Sequence, residues 1–177
     1  MLLAAFRGII ISLVILALAS RSLSYELKTR YTTIVYETED QLRRFNREIR
    51  LGRLSYLMRD KVSITMGDEV RNKIDVIVER VQSILEMFPR EMTFKLILLS
   101  SDSEVRATFK NRYGKNVDYV AFYSPKEKTV FVSIKDVEMG VLAHEIAHVV
   151  IDQYYGVPTP AKLHEILAQY VEMHLKD

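Results

Sequence analysis

The sequence contains no cysteine among its 177 residues. A disulfide framework, a thiolate nucleophile and a metal site built on cysteine are therefore excluded. If the protein binds a metal ion, the ligands must come from His, Asp or Glu side chains. The absence says nothing about compartment, because an exported protein need not contain disulfides.

The sequence also has little net charge, since 25 Lys and Arg against 23 Asp and Glu give +2. Proteins that bind nucleic acid by neutralising phosphates normally carry a basic excess on one face, so this balance argues against nucleic acid as a partner. Internal repeats and low-complexity segments are also absent. Hydrophobic residues make up 49% and charged residues 27% of the chain, which is typical of one globular domain.

An uncharged apolar run follows Arg7 and ends at Ala19. It is shorter than the roughly 20 residues of a membrane-spanning helix and is typical of the core of a signal peptide. The small residues Ala17 and Ala19 predict cleavage after Ala19. An uncleaved anchor is the alternative, because residues 1–6 are also apolar. Both interpretations predict export: secreted, periplasmic or anchored outside the cytoplasmic membrane, with membrane contact only through this segment.

We divide the rest of the chain into a linker, residues 20–30, and one folded domain, residues 31–177. Alternating and β-branched patterns predict strands at 31–36, 93–99, 120–123 and 129–134, the last two forming a hairpin. Apolar residues at three-to-four spacing and end signals predict helices at 39–49, 67–87, 103–113, 136–155 and from 160 onward. This mixture predicts an α+β fold with a small mixed β-sheet.

One motif in the sequence carries chemistry, His144-Glu145-Ile146-Ala147-His148 on a predicted helix. Residues i and i+4 lie one turn apart on nearly the same face, so both imidazoles can reach one ion at about 2.0–2.1 Å. Neutral imidazole suits zinc, and three protein ligands plus a water form its catalytic arrangement. The motif therefore predicts a catalytic Zn2+ site with His144 and His148 as ligands.

Glu145 follows the first ligand, so its carboxylate can approach a zinc-bound water rather than the metal. Zinc lowers the pKa of that water toward about 7, and Glu145 acts as the catalytic general base. A chance occurrence of the motif is the competing interpretation. The apolar flanks 141–143 and 149–151 disfavour it, because two histidines and a glutamate in an apolar helix are costly to bury without a partner.

The third predicted ligand is Glu165, on the helix after the turn at 156–160. Two antiparallel helices joined in this way can bring its carboxylate to the same ion. A solvated polar strip on that helix is the competing interpretation for Glu165. Glu172 is the competing carboxylate, and Asp152 is expected to orient a ligand or face water. His164 is a further candidate ligand, but it leans toward the apolar side of its helix.

This region resembles the gluzincin group of metallopeptidases, and in particular the small peptidase-MA-like domains. Members have an HExxH helix, a turn with proline and a second helix that carries a ligand Glu. Residues 160–170 of this chain match that second helix at four positions: Leu163, Glu165, Ala168 and Tyr170. The resemblance covers residues 31–176 by the order of elements and is specific only over residues 137–172.

The resemblance implies a minimal zincin-like fold in which His144, His148 and Glu165 bind zinc and Glu145 is the general base. It implies a zinc-dependent peptidase that hydrolyses peptide bonds through a metal-activated water. A strand beside the cleft would pair with an extended peptide or protein substrate. The alternative function is a zinc-binding peptide-recognition module with weak catalysis.

Two positions depart from the gluzincin pattern. The residue after the ligand Glu, commonly Gly, is Ile166, which can crowd the site. The acidic residue four positions after the ligand Glu in thermolysin-like members is Gln169 here, which can still hydrogen-bond a His but adds less basicity. The side chain that stabilises the oxyanion is left open among four candidates: Tyr154, Tyr155, Tyr170 and His174.

Overall fold

A computed structural model describes residues 24–175 of the chain. The segment 1–19, predicted to be a signal peptide or an anchor, lies outside these residues. Within residues 24–175, no helix combines the length and the apolar character that crossing a membrane requires.

Strands and helices are mixed along the described residues, as an α+β fold requires. The strands are β1 (Tyr25–Lys28), β2 (Thr32–Tyr36), β3 (Phe94–Leu99), β4 (Ala121–Ser124) and β5 (Thr129–Ser133). The α-helices are α1 (Glu39–Glu48), α2 (Met66–Leu85), α3 (Asp102–Tyr113), α4 (Met139–Tyr155) and α5 (Ala161–His174). Short 3-10 helices occupy Gly52–Met58 and Pro125–Glu127.

The five strands form one mixed sheet in the order β1-β2-β3-β5-β4. The three central strands are parallel, and the two outer strands run antiparallel to their neighbours. The prediction of an α+β fold with a small mixed sheet is confirmed. The predicted β4–β5 hairpin is present, whereas the parallel pairs are joined by long crossovers that contain helices, as parallel strands require.

Both faces of the sheet are covered, and the larger part of the core lies on the side of α2 and α4. On β3, Leu96 and Leu98 point into that core, whereas Ile97 packs on the opposite face with α3. The apolar stripe of α2 supplies fully buried side chains such as Ile74 and Ile77. The sheet and α2 thus form a rigid support against which α4 is packed.

The structure differs from the sequence-based expectations at several boundaries. The stretch 20–30, predicted as a linker, includes β1, which pairs with β2 at one edge of the sheet. Only Leu27 of β1 is buried, so the strand has little of the alternation that would reveal it. Helix α4, expected to begin at residue 136, has Glu138 at its N-cap and begins at Met139, and Asp136 accepts a hydrogen bond from the Ser133 hydroxyl at 3.0 Å.

Leu96 is fully buried on β3 at the centre of the sheet. Truncation of its side chain should therefore strongly lower the stability of the fold. Leu96→Ala should lower the free energy of unfolding by about 2–5 kcal/mol, because it removes methyl groups and leaves a cavity. Urea denaturation measures this change. Ile64→Ala is the matched control, because Ile64 is 87% exposed, and its effect should stay within about 0.5 kcal/mol. Equal effects of the two variants would contradict this description of the core.

Candidate metal centre

Helix α4 buries most of its circumference and leaves one face for polar side chains. The buried residues are Met139, Leu142, Ala143, Ile146, Ala147, Val149, Val150 and Ile151. His144 and His148 lie one turn apart on the remaining face, with ring centroids 4.9 Å apart. Their side chains are only 19% and 13% exposed. The helix therefore holds two imidazoles at the edge of the core, where their movement is restricted.

Helix α5 packs against α4 and brings Glu165 to the two histidines. Glu165 Oε2 lies 3.5 Å from His144 Nε2, and Glu165 Oε1 lies 3.6 Å from His148 Nε2. One donor atom from each of the three residues lies within 4.8 Å of the others. The side chains that the motif and the resemblance singled out are thus neighbours in space.

These donor groups fit a zinc ion by chemistry and by spacing. Zinc prefers imidazole nitrogen and carboxylate oxygen at about 2.0–2.2 Å in a tetrahedral arrangement, in which neighbouring ligand atoms are about 3.3 Å apart. The observed separations of 3.5 and 3.6 Å are close to that spacing. Burial is the main cause that lowers the pKa of His148 to about 4, and electrostatic repulsion from His144 and His164 contributes less. His148 is therefore neutral at physiological pH, as a metal ligand must be.

Glu145 projects beside this group into largely apolar surroundings. Its burial raises the pKa of the carboxyl to about 8; a hydrogen bond from the backbone N–H of Tyr123 acts in the opposite direction, and the Glu165 carboxylate adds to the rise. A divalent cation at the three donor groups would lower that pKa again by electrostatic attraction. The surroundings of Glu145 thus bring the pKa of its carboxyl group close to neutral pH.

A cavity of about 760 Å3 opens at these side chains. Residues 119–123 form one wall, α4 and α5 form the other, and Phe109 of α3 contributes an apolar end. Four carboxylates line the cavity: Glu145, Asp152, Glu165 and Glu172. None of the lining residues that the structure describes is Lys or Arg. The cavity therefore combines apolar walls with negative charge.

Strand β4 is the edge strand on the cavity side of the sheet. It pairs with β5, and no other strand within residues 24–175 pairs with it. Its outer backbone groups, apart from the Tyr123 N–H that bonds the Glu145 carboxylate, are therefore positioned to accept an added strand. The edge strand and the three donor groups border the same cavity.

Tyr123 connects β4 to α4 through its side chain. Its hydroxyl donates a hydrogen bond to Asp152 Oδ2 at 2.8 Å. Burial and the neighbouring carboxylate raise the pKa of Tyr123 well above its usual range, so the hydroxyl keeps its proton. Asp152, expected to orient a ligand or face water, therefore fixes the edge strand instead.

His164 lies in the cavity wall rather than on the apolar side of its helix. Its ring stacks on His148, with centroids 5.7 Å apart, and its Nε2 contacts the Thr159 hydroxyl. Thr159 precedes α5 but does not cap it, because Pro160 occupies the N-cap position and Ala161 begins the helix. The Thr159 side chain is engaged with His164 instead.

The departures from the gluzincin pattern have clear positions in the structure. Ile166 is 53% exposed and does not line the cavity, so it does not crowd the site. Gln169 is also exposed and outside the cavity lining. The competing carboxylate, Glu172, reaches His144 from the side opposite to Glu165, with its Oε2 3.5 Å from Nδ1. The structure therefore places Glu165 and Glu172 at different atoms of one ring.

The four candidates for an oxyanion-stabilising side chain do not line the cavity: Tyr154, Tyr155, Tyr170 and His174. The cavity wall instead contains Tyr119, Tyr123 and His164. The first two belong to the hairpin region, which is distant from the motif in sequence. Their hydroxyl groups could be assigned to the site only once the packing of β4 against α4 was known.

Comparison with known proteins adds no assignment: no protein-family model, curated protein or solved structure matches the chain at a significant level. The structure does bring together His144, Glu145, His148 and Glu165, all predicted to be functional, at one cavity. The chemistry of these side chains and their geometry are the observations that support a function.

The contact between Tyr123 and Asp152 predicts a measurable coupling. Tyr123→Phe removes the hydroxyl and leaves a partly buried carboxylate without this donor, so the free energy of unfolding should fall by about 1–3 kcal/mol. Tyr119→Phe is the control, because Tyr119 is 46% exposed. A double-mutant cycle with Asp152→Ala, which removes the acceptor, isolates the pair. Additive effects of Tyr123→Phe and Asp152→Ala would show that the two side chains do not interact.

Proposed function

We propose that this chain is a zinc-dependent peptidase of the gluzincin type, built on a minimal zincin-like fold. The observation that carries the proposal is the convergence of His144, His148 and Glu165 from two helices, with Glu145 beside them. The mixed sheet with an antiparallel edge strand beside this group is compatible with a peptide-binding cleft. Export, predicted from residues 1–19, is a separate proposal that rests on that sequence alone.

His144, His148 and Glu165 would hold the zinc ion through Nε2, Nε2 and the carboxylate. When bound, zinc acidifies a water molecule and polarises a peptide carbonyl. Glu145 accepts the proton of the attacking water on a carboxylate oxygen and returns it to the leaving nitrogen as the C–N bond breaks. Burial raises the pKa of Glu145 to about 8 in the metal-free protein, and a bound zinc ion would lower it, so that Glu145 could take and release a proton near neutral pH.

The cavity wall supports an extended peptide as the substrate. The free edge of β4 can pair with a peptide backbone by strand addition, which gives affinity without depending on side chains. The same cavity contains the apolar ring of Phe109 and the aromatic ring of Tyr119, which can contact substrate side chains. Peptide binding by this edge does not require catalysis, so a zinc-binding recognition module with weak turnover is the second candidate function.

Metal analysis and one variant test the proposal. The purified protein, loaded with Zn2+ and dialysed, should retain close to one ion per chain, and a chelator should abolish cleavage of a mixed peptide pool. Glu145→Gln should retain zinc and lose cleavage by a factor of about a hundred or more, because it removes the proton acceptor and not a ligand. Glu165→Gln should instead lose metal affinity, because a carboxylate ligand becomes a neutral amide.

The outcomes separate the candidate functions. Zinc binding and cleavage in the wild type, with cleavage lost in Glu145→Gln, support the peptidase. Zinc and peptide binding without cleavage favour the recognition module. Failure to bind zinc in the wild type would refute both and leave the motif a chance occurrence on a structural helix.

The negative charge of the cavity predicts a preference among substrates. With a divalent cation and neutral imidazoles, the four lining carboxylates leave the cavity negative, even if Glu145 is protonated. Peptides with Lys next to the cleaved bond should therefore have a kcat/KM about tenfold higher than their Glu counterparts. The ratio should fall as salt is added. Competition between such peptides of equal length measures the preference, and a ratio near one would contradict it.

A further inference from the structure

The ring of His144 lies between two carboxylates of α5. Its Nε2 is 3.5 Å from Glu165 Oε2, and its Nδ1 is 3.5 Å from Glu172 Oε2. The two glutamates are seven residues apart, which places them two turns apart on nearly the same face of the helix. One face of α5 therefore contacts both nitrogens of one imidazole.

The two nitrogens of a neutral imidazole have different roles, since one carries a hydrogen and the other a lone pair. A carboxylate near Nδ1 stabilises the tautomer with the hydrogen on Nδ1. The lone pair then lies on Nε2, which points to the place that a cation held by Glu165 and His148 would take. Glu165 Oε2 lies as close to Nε2 as Glu172 Oε2 lies to Nδ1, so without a cation the two carboxylates favour opposite tautomers. The side chain that sets this tautomer therefore also leaves the Nε2 lone pair available to bind a metal ion.

We propose that Glu172 is the positioning residue that fixes the His144 ring with its hydrogen on Nδ1 and its lone pair directed to the metal centre. The effect on metal binding rests on the proposed function, whereas the effect of Glu172 on the Nδ1 hydrogen can be measured without a metal ion once the Glu165 carboxylate is removed. Gln169, the position expected to carry this role, is exposed and lies outside the cavity lining.

The packing of α5 on α4 explains how Glu172 reaches the ring. A Cβ atom at Gly140 would lie 3.5 Å from Glu172 Cγ and 3.7 Å from its Oε1. The stem of Glu172 therefore passes against the α4 backbone one turn before His144. Alanine at position 140 would make an ordinary contact there, whereas a branched side chain would occupy the space that Glu172 uses.

The first experiment measures the His144 tautomer by 15N NMR at about pH 9, above the usual imidazole titration range. It uses the metal-free, full-length Glu165→Ala variant, in which the carboxylate beside Nε2 is removed and Glu172 remains beside Nδ1. This variant should show the hydrogen on Nδ1. Adding Glu172→Ala should shift His144 toward the Nε2–H form, and adding Glu172→Gln should shift it less, because its amide oxygen can accept a hydrogen bond. Gln169→Ala in the same background is the control on the same helix and should cause no shift.

The second experiment measures the zinc dissociation constant by competition with a chelator. Glu172→Ala should weaken binding by about 10- to 100-fold, the usual effect of removing a partner of a metal-binding His. Glu172→Gln should recover part of this loss. Gly140→Leu should weaken binding by displacing Glu172 without removing it, and Gly140→Ala should not.

The outcomes distinguish this proposal from the proposed function. If Glu172→Ala changes neither the tautomer nor the affinity beyond Gln169→Ala, Glu172 has no positioning role even though the metal site stands. If the wild type does not bind zinc, the peptidase proposal fails, and the tautomer measurement still decides the role of Glu172. Thermal denaturation of each variant checks the fold, and the two variants at position 140 test the same contact without altering the carboxylate.

Discussion

The candidate site depends on the packing of α5 against α4. His144 and His148 are placed by one helix and need only its regular geometry, whereas Glu165 reaches them from a separate helix. Gly156 ends α4 in a left-handed conformation with φ +65, which lets the chain leave the helix and return. The three-residue donor group depends on this return, because without it only two imidazoles would face the cavity.

The surroundings of α4 explain why the site can be both rigid and reactive. The apolar face of the helix is fixed by α2 and the sheet, so its polar face cannot turn toward solvent. The same apolar surroundings keep His148 neutral and raise the pKa of Glu145. Burial thus stabilises the fold and also sets the protonation states of Glu145 and His148.

The elements with strong local patterns could be predicted from the sequence. Helix α2, strand β3 and the β4–β5 hairpin lie within a few residues of their expected positions, because their buried residues repeat at helical or strand spacing. Strand β1 could not be predicted, because one buried residue gives no alternation. The ligand candidates were found through one motif on α4 and a resemblance on α5. The positions of Tyr123, His164 and Glu172 depend on contacts between distant segments, which no local pattern encodes.

Tyr123 joins the edge strand to the candidate site in two ways. Its backbone N–H bonds the Glu145 carboxylate, and its hydroxyl bonds Asp152 on the same helix. The strand edge and Glu145 are therefore held at a fixed distance from each other. If a peptide paired with this edge, its backbone register, rather than the identity of a particular side chain, would decide which amide lies opposite Glu145.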